Sequence, residues 1–255
     1  MQIYLAVTPD HLDTALRCTG HIAHVAYRIG GDGLLTRSAL PPNVKGGVMV
    51  LNDGEECVQI DTSELCAAVW QECAARGFGA VVADFEQPPT DENCAFLNAL
   101  CKVLRKNGRR LLVPEPYGCE VRHAAVLICT AVSGGTLRRR LEEARERFGD
   151  RVALDMQRVR MEFPLPCPEG EGCALGRSEL EQLLCEKPAV FFSEDLCAKY
   201  FVRVSCNEPR FVLFDDAQTL RRKLRVAQEM GIGTAFVMYP EVDDILEDLW
   251  RKDPR

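Results

Sequence analysis

Asp84 and Glu86 stand two residues apart at the end of an apolar run, Gly77-Phe78-Gly79-Ala80-Val81-Val82-Ala83-Asp84-Phe85-Glu86. Side chains along a strand alternate between its faces, so Val82, Asp84 and Glu86 would share one face. Two carboxyls on one face are unfavourable unless they are solvated, paired or used. Close together, one raises the proton affinity of the other, and a carboxyl that keeps its proton is what a general acid needs. The plainer uses of the same two residues are to cap a loop or to pair with a structural arginine.

Other residues that could line the same mouth follow the ends of further short apolar runs. They are Tyr27 and Arg28, Asn52 and Asp53, Glu115 and Tyr117 in Pro114-Glu115-Pro116-Tyr117, Gln157, Tyr239 and Glu241. For each, an ordinary loop residue or strand-end cap is the alternative. His11, His21, His24 and His123 have no metal-ligand spacing or triad context. Gly30-Gly31-Asp32-Gly33 follows a strand but opens no helix, so it is no phosphate loop, and there is no G-x-S-x-G elbow. No cofactor and no metal is expected.

These side chains need a scaffold, and the hydrophobic pattern supplies one. Short β-rich runs at residues 3–8, 22–27, 48–51, 80–85, 111–114, 125–131, 152–156 and 234–238 alternate with amphipathic stretches at 63–76, 91–107, 137–148 and 218–230. Asp10 is the expected N-cap of a first helix through Leu12, Leu16 and Cys18, and residues 243–250 are expected to form a last one. Gly30 to Gly47 reads as a loop. Eight strands alternating with helices predict an α/β fold, a (β/α)8 TIM barrel occupying residues 1–255 as one domain. A doubly wound open sheet is the competing arrangement. Residues of about 164–214, with a Pro-, Gly- and Cys-rich stretch, a helix at 178–185 and three β-like runs, form a small α+β insertion between strands seven and eight. In a barrel, Asp84 and Glu86 would point inward at the carboxyl end of strand four, where such barrels carry their active sites.

The bulk numbers are those of an ordinary globular protein, 47% hydrophobic and 27% charged. A net charge of −7 speaks against nucleic acid or an anionic membrane surface as a partner. The arginines at 138–140 and 221–225 alternate with apolar residues on helices and read as solvated faces. The thirteen cysteines are odd in number and without C-x-x-C spacing, and Cys66, Cys73, Cys94 and Cys101 fall in apolar helical patterns. They are expected to be reduced core thiols. The apolar stretch at the N-terminus stops at Thr8-Pro9-Asp10, and no run nears the ~20 residues of a membrane span, so a cytoplasmic location is expected.

The carboxylate strand resembles the fourth-strand signature of glycoside hydrolase family 18, the chitinase-like barrels, written D-G-x-D-x-D-x-E. Asp84 matches its last aspartate and Glu86 its glutamate, while Gly79 and Val82 stand where the earlier aspartates would be and Phe85 where Trp or Tyr is usual. Phe214-Asp215-Asp216, the helix from Gln218 through Thr219 to Lys223, and Gly231-Ile232-Gly233 before the last strand are similar to that family's tail, with Tyr239 where it carries a sugar-stacking Trp. The sixth strand departs, reading Ile128-Cys129-Thr130-Ala131-Val132 where the family often has Met-x-Tyr-Asp. The resemblance implies cleavage of an N-acetylglucosamine-containing glycan, chitin-like or peptidoglycan-type, with retention and with the substrate's acetamido oxygen as nucleophile. Glu86 would protonate the glycosidic oxygen and Asp84 would hold the acetamido group. A pairing of Glu115 with Glu86 would instead give conventional two-carboxylate chemistry. The altered signature and sixth strand leave a second possibility, a catalytically impaired barrel that binds a carbohydrate or a protein.

Overall fold

The computed structural model describes residues 1–41, 43–54, 60–167, 170–205 and 207–250. The chain divides into two compact units. The first takes in residues 1–128, 144–155 and 232–240, the second residues 129–143, 156–231 and the described residues beyond 240.

Strands β1 (Gln2–Val7) and β2 (Ile22–Ile29) open the chain, and β3 (Leu35–Arg37) folds back antiparallel on β2. Then come β4 (Val48–Asn52), β5 (Ala80–Asp84), β6 (Arg110–Pro114), β7 (Ala125–Cys129) and β8 (Val152–Asp155). In the second unit β9 (Arg160–Pro164), β10 (Cys173–Ala174), β11 (Phe191–Ser193), β12 (Ala198–Ser205) and β13 (Glu208–Phe214) build a separate antiparallel sheet in the order β10-β9-β13-β12-β11. Strand β14 (Thr234–Met238) returns to the first sheet. There the order runs β1-β14-β8-β7-β6-β5-β4-β2, and β1 pairs with β2 as well. That last pairing closes eight parallel strands into a barrel and excludes the open doubly wound sheet.

The lumen is a packed core. Ala6, Ala23, Val48, Val50, Ala80, Val82, Leu112, Ala153 and Phe236 fill it, with Tyr4 stacked on Phe236 at 5.1 Å. These residues fix which alternate positions face inward on each strand. Burying each of the Val, Leu and Phe side chains contributes roughly 1.5–3 kcal/mol.

The helices start and stop where side chains can satisfy their ends. Asp61 accepts hydrogen bonds from the backbone N–H groups of Ser63 and Glu64 at 2.9 and 3.0 Å, and Gly77, at φ 68°, terminates the helix Thr62–Arg76. Thr90 caps Asp91–Lys106, whose Phe96, Leu97, Leu100, Cys101 and Leu104 are buried. The first helix, Leu12–Cys18, is preceded by a 3-10 turn at Pro9–His11, so Asp10 lies inside that turn and is not the N-cap. Pro9 sets the backbone angle that begins the turn. The expected loop from Gly30 to Gly47 contains β3, and the expected last helix is two short ones, Tyr239–Val242 and Leu246–Trp250. Cys66, Cys73, Cys101 and Cys197 are buried, and burial pushes the Cys73 thiol up to about 12. Cys57, Cys206 and part of the stretch between Cys167 and Cys173 lie outside the described residues. No helix among the described residues is long and apolar enough to cross a membrane.

The second unit encloses a buried ion pair. Lys223 and Asp215 are both fully inaccessible, and the ammonium donates to Asp215 Oδ2 at 2.6 Å and to the Thr130 carbonyl at 3.1 Å. Asp215 also accepts from Thr219 Oγ1 at 2.8 Å and from the Val159 N–H at 2.9 Å. Thr219 meanwhile closes a capping box with Asp216 at the start of the helix Ala217–Glu229. Breaking such a pair by removing one partner strands a buried charge. Lys223→Met should therefore cost about 3–5 kcal/mol in urea unfolding. A loss below about 1 kcal/mol would show that Asp215 needs no cation.

Candidate active site at the barrel mouth

The apolar lumen gives way to polar side chains at the carboxyl ends of the strands. Val48 and Val50 face inward, so Asn52 does too; Ala80 and Val82 face inward, and so does Asp84. The parallel register pairs Arg28 with Asn52 and Asn52 with Asp84, setting the three residues side by side in one layer. Asn52 Oδ1 accepts the Gly54 N–H at 2.8 Å, which leaves its amide N–H groups to donate to the Asp84 carboxylate. Only glycine fits at position 54. Its φ is +69°, and a Cβ there would stand 2.2 Å from the Ile29 carbonyl oxygen.

Phe85, between the two acids, is buried in the opposite direction, in parallel contact with Phe96 at 6.4 Å and edge-on to Tyr117 at 5.9 Å. That anchor turns both neighbouring carboxylates away from the helix layer. Asp84 is partly buried, and Glu86 is exposed. Among the described residues the Glu86 carboxylate makes no hydrogen bond or ion pair, while Asp53 Oδ2 accepts the Gln87 N–H at 3.1 Å and ties the loop after β4 to the loop after β5. Burial raises the Asp84 pKa above the usual carboxylate value, the negative charges of Glu86 and Asp53 add to this, and the Asn52 hydrogen bond opposes it.

Several expected contacts lie elsewhere. Tyr27 does not line the mouth. The register between β2 and β4 slips between Val25 and Tyr27, a bulge that turns Tyr27 from the lumen to the helix side. Its ring is buried and its hydroxyl donates to Glu72 Oε1 at 2.9 Å, the oxygen that also takes Arg37 and Arg76, each at 2.7 Å. Tyr117 is likewise a support. It is fully buried, and its hydroxyl donates to the Gln87 carbonyl at 2.9 Å, bracing the loop behind Glu86. Glu241 belongs to the second unit, where its carboxylate pairs with Arg160 at 3.1 Å. Gln157 is exposed and also in the second unit. Glu115 is partly buried at the start of the 3-10 turn Glu115–Tyr117 after β6, the strand next to β5. Tyr239 begins right after β14, half-buried, with one ring face stacked on His11 at 4.9 Å.

Two inward positions escaped the sequence reading. Asp155 shares the lumen side with Ala153 at the end of β8 and pairs in register with Phe236. Cys129 shares it with Leu127 on β7. Alternation counted from a small residue such as Ala153 is the signal that would have found Asp155. Thr130, next along, is fully buried, with its hydroxyl 3.6 Å from the Met156 sulfur. Among the described residues no cluster of His, Cys, Asp and Glu could hold a metal ion.

The shift at Asp84 has a sign that can be measured. A carboxyl whose folded pKa is raised gives its full stability below the unfolded value and loses it as pH rises through the folded one. Asp84→Asn, always neutral, escapes that loss. It should melt at a higher temperature than the parent at pH 7, with the gain gone below the ordinary aspartate value of 3.8. An equal gain at both pH values would show that ionisation is not its source.

No family model and no curated protein matches the chain in sequence. Solved structures do match. A chitinase from Chromobacterium violaceum superposes with a TM-score of 0.70 at 16% identity, over 98% of this chain and 96% of that one. The spore cortex-lytic enzyme SleL of Bacillus megaterium gives 0.65 at 17% identity, over 100% of this chain and 75% of that one. A family 18 chitinase variant from Cycas revoluta, solved in complex with (GlcNAc)4, gives 0.64 at 10% identity over 98% of both chains. The chain therefore has the barrel fold of the family 18 chitinases and of the spore cortex-lytic enzymes.

Proposed function

We propose that the protein is a glycoside hydrolase acting on an N-acetylglucosamine-containing glycan, of chitin-like or peptidoglycan type, by substrate-assisted hydrolysis with retention. One observation carries this reading: Asp84 faces the lumen at the carboxyl end of the fourth barrel strand, with Glu86 exposed two residues on and Phe85 buried behind both. The shared fold with chitinases supports it by analogy.

In this reading Glu86 gives its proton to the glycosidic oxygen as the bond to the anomeric carbon breaks. The acetamido oxygen of the same sugar closes on that carbon. Asp84, oriented by Asn52, accepts the acetamido N–H and balances the positive charge of the ring formed. Water then opens the ring and the Glu86 carboxylate takes up its proton, restoring the acid. Tyr239 would offer its other ring face to a sugar ring, and Glu115 would meet hydroxyls.

A second reading keeps the glycan and drops the turnover. Val82 lies among the apolar lumen residues where the family signature has an aspartate, and the sixth barrel strand, which ends at Cys129, and the residues after it carry neither the Tyr nor the Asp usual there. Losing one oriented donor lowers rates by about 10²–10³ in other enzymes.

Hydrolysis of fluorogenic chitotriose and of purified peptidoglycan separates the two readings. Glu86→Gln should lower turnover by about 10²–10⁴ while folding and glycan affinity stay unchanged. Equal turnover by parent and variant would remove Glu86 as the acid. Binding without turnover by the parent would favour the second reading.

A further inference from the structure

The antiparallel sheet of the second unit sorts its side chains by face. On one face, Leu180 of the helix Arg177–Cys185 packs with Leu175 against Phe201, Val212 and Phe214. Every charged residue of β9, β12 and β13 shares that side: Arg160, Glu162, Lys199, Arg203, Glu208 and Arg210. On the opposite face these three strands carry no charge. There the register sets Phe163, Phe211 and Val202 in one row and Pro209 beside Val204 in the next. Leu165, just past β9, donates its N–H to the Pro209 carbonyl at 3.0 Å. Tyr200 and Phe191 stand in the row behind, and the rings run on in a chain, Phe191 to Tyr200 at 5.6 Å, Tyr200 to Phe211 at 5.2 Å and Phe211 to Phe163 at 6.2 Å.

The rest of the chain covers only part of this uncharged face. Ala198 and Leu213 are fully buried, but Val202 is 52% exposed, Val204 72%, Phe191 55% and Leu165 38%. A sheet face left to water ordinarily alternates toward polar side chains, and here the polar residues are on the side that carries the helix. The usual guards of an exposed strand are missing too. Beyond Tyr200 no strand among the described residues pairs with β12 on the β11 side, and its outward residues there are valines instead of lysine or proline. Arg203, between them, is held on the other face by Glu162 at 2.7 Å.

We propose that this face is a docking surface for a second copy of the chain, the two uncharged faces packing sheet on sheet about a twofold axis. Such an interface sets the same patch against itself, and a patch without charge meets its own copy with no repulsion and no ion left unpaired. The size agrees. The exposed apolar side chains offer on the order of 500 Å² per copy, so two copies bury on the order of 1,000 Å², the least that a specific contact between proteins needs. The dimer is therefore a weak one, with a dissociation constant in the micromolar range.

Sedimentation velocity of the full chain in reducing buffer, from about 1 to about 200 µM, tests this. The parent should pass from one chain to two across that range. Val204→Lys, at the most exposed of these positions, should stay a single chain throughout with an unchanged melting temperature, and Val202→Lys should do the same. Ser205→Lys adds the same charge one residue on, toward the other face, and should dimerise like the parent. A parent that is monomeric at every concentration overturns the proposal and leaves the face to a different partner. Dimerisation that survives both valine substitutions, or that Ser205→Lys abolishes equally, overturns it as well, by placing the contact elsewhere or making net charge its cause.

Discussion

Closing eight parallel strands forces every second side chain into a common interior, and the rest of the site depends on that constraint. The interior is apolar from Tyr4 and Ala23 up through Val50 and Val82, because no water is there to solvate anything else. One residue pair further along, at Asn52 and Asp84, it becomes polar. Asp84 is thus held at the boundary between a dry core and an open mouth. Its carboxyl feels burial from below and the charge of Glu86 from above, and the Asn52 amide favours its ionised form.

Around that boundary the structure trades regularity for aim. A strict period of two would have sent Tyr27 into the lumen and Arg28 out among the helices. The slip after Val25 reverses both and yields two assemblies in one step. On the outer face, Tyr27, Arg37 and Arg76 converge on a single oxygen of Glu72. On the inner face, a guanidinium joins an otherwise acidic rim. Phe85 and Tyr117 do comparable work on the next strands, being buried so that their neighbours are not. Glycine at 54 lets the chain pass close to Ile29 and keeps Asn52 facing Asp84.

Much of this was legible in the sequence, because hydrophobic periodicity reports burial directly. The eight barrel strands, the helix Asp91–Lys106 and the inward direction of Asp84 all follow from it. What alternation cannot reveal is a place where it is broken. The bulge in β2 has no glycine or proline to announce it, so Tyr27 was expected at the mouth. Tyr117 misled for another reason: an aromatic beside prolines after a strand suits a sugar platform and a loop brace equally well, and only the hydrogen bond to Gln87 decides. Alternation also points Asp155 inward, but a strand expected to run to Met156 puts Gln157 at its end, whereas the strand ends at Asp155. Glu241 depends on its partner Arg160, distant in sequence.

The central claim is that the β5 carboxylates turn over an N-acetylated glycan with the substrate's own acetamido group as nucleophile. Proton NMR of chitotetraose during the first minutes of reaction tests it most directly, because double displacement at the anomeric carbon releases the β-anomer before mutarotation mixes the two forms. The account predicts β-anomer first, and no product from oligomers stripped of their acetyl groups. Release of the α-anomer first, or hydrolysis that proceeds as well without the acetyl groups, would contradict it.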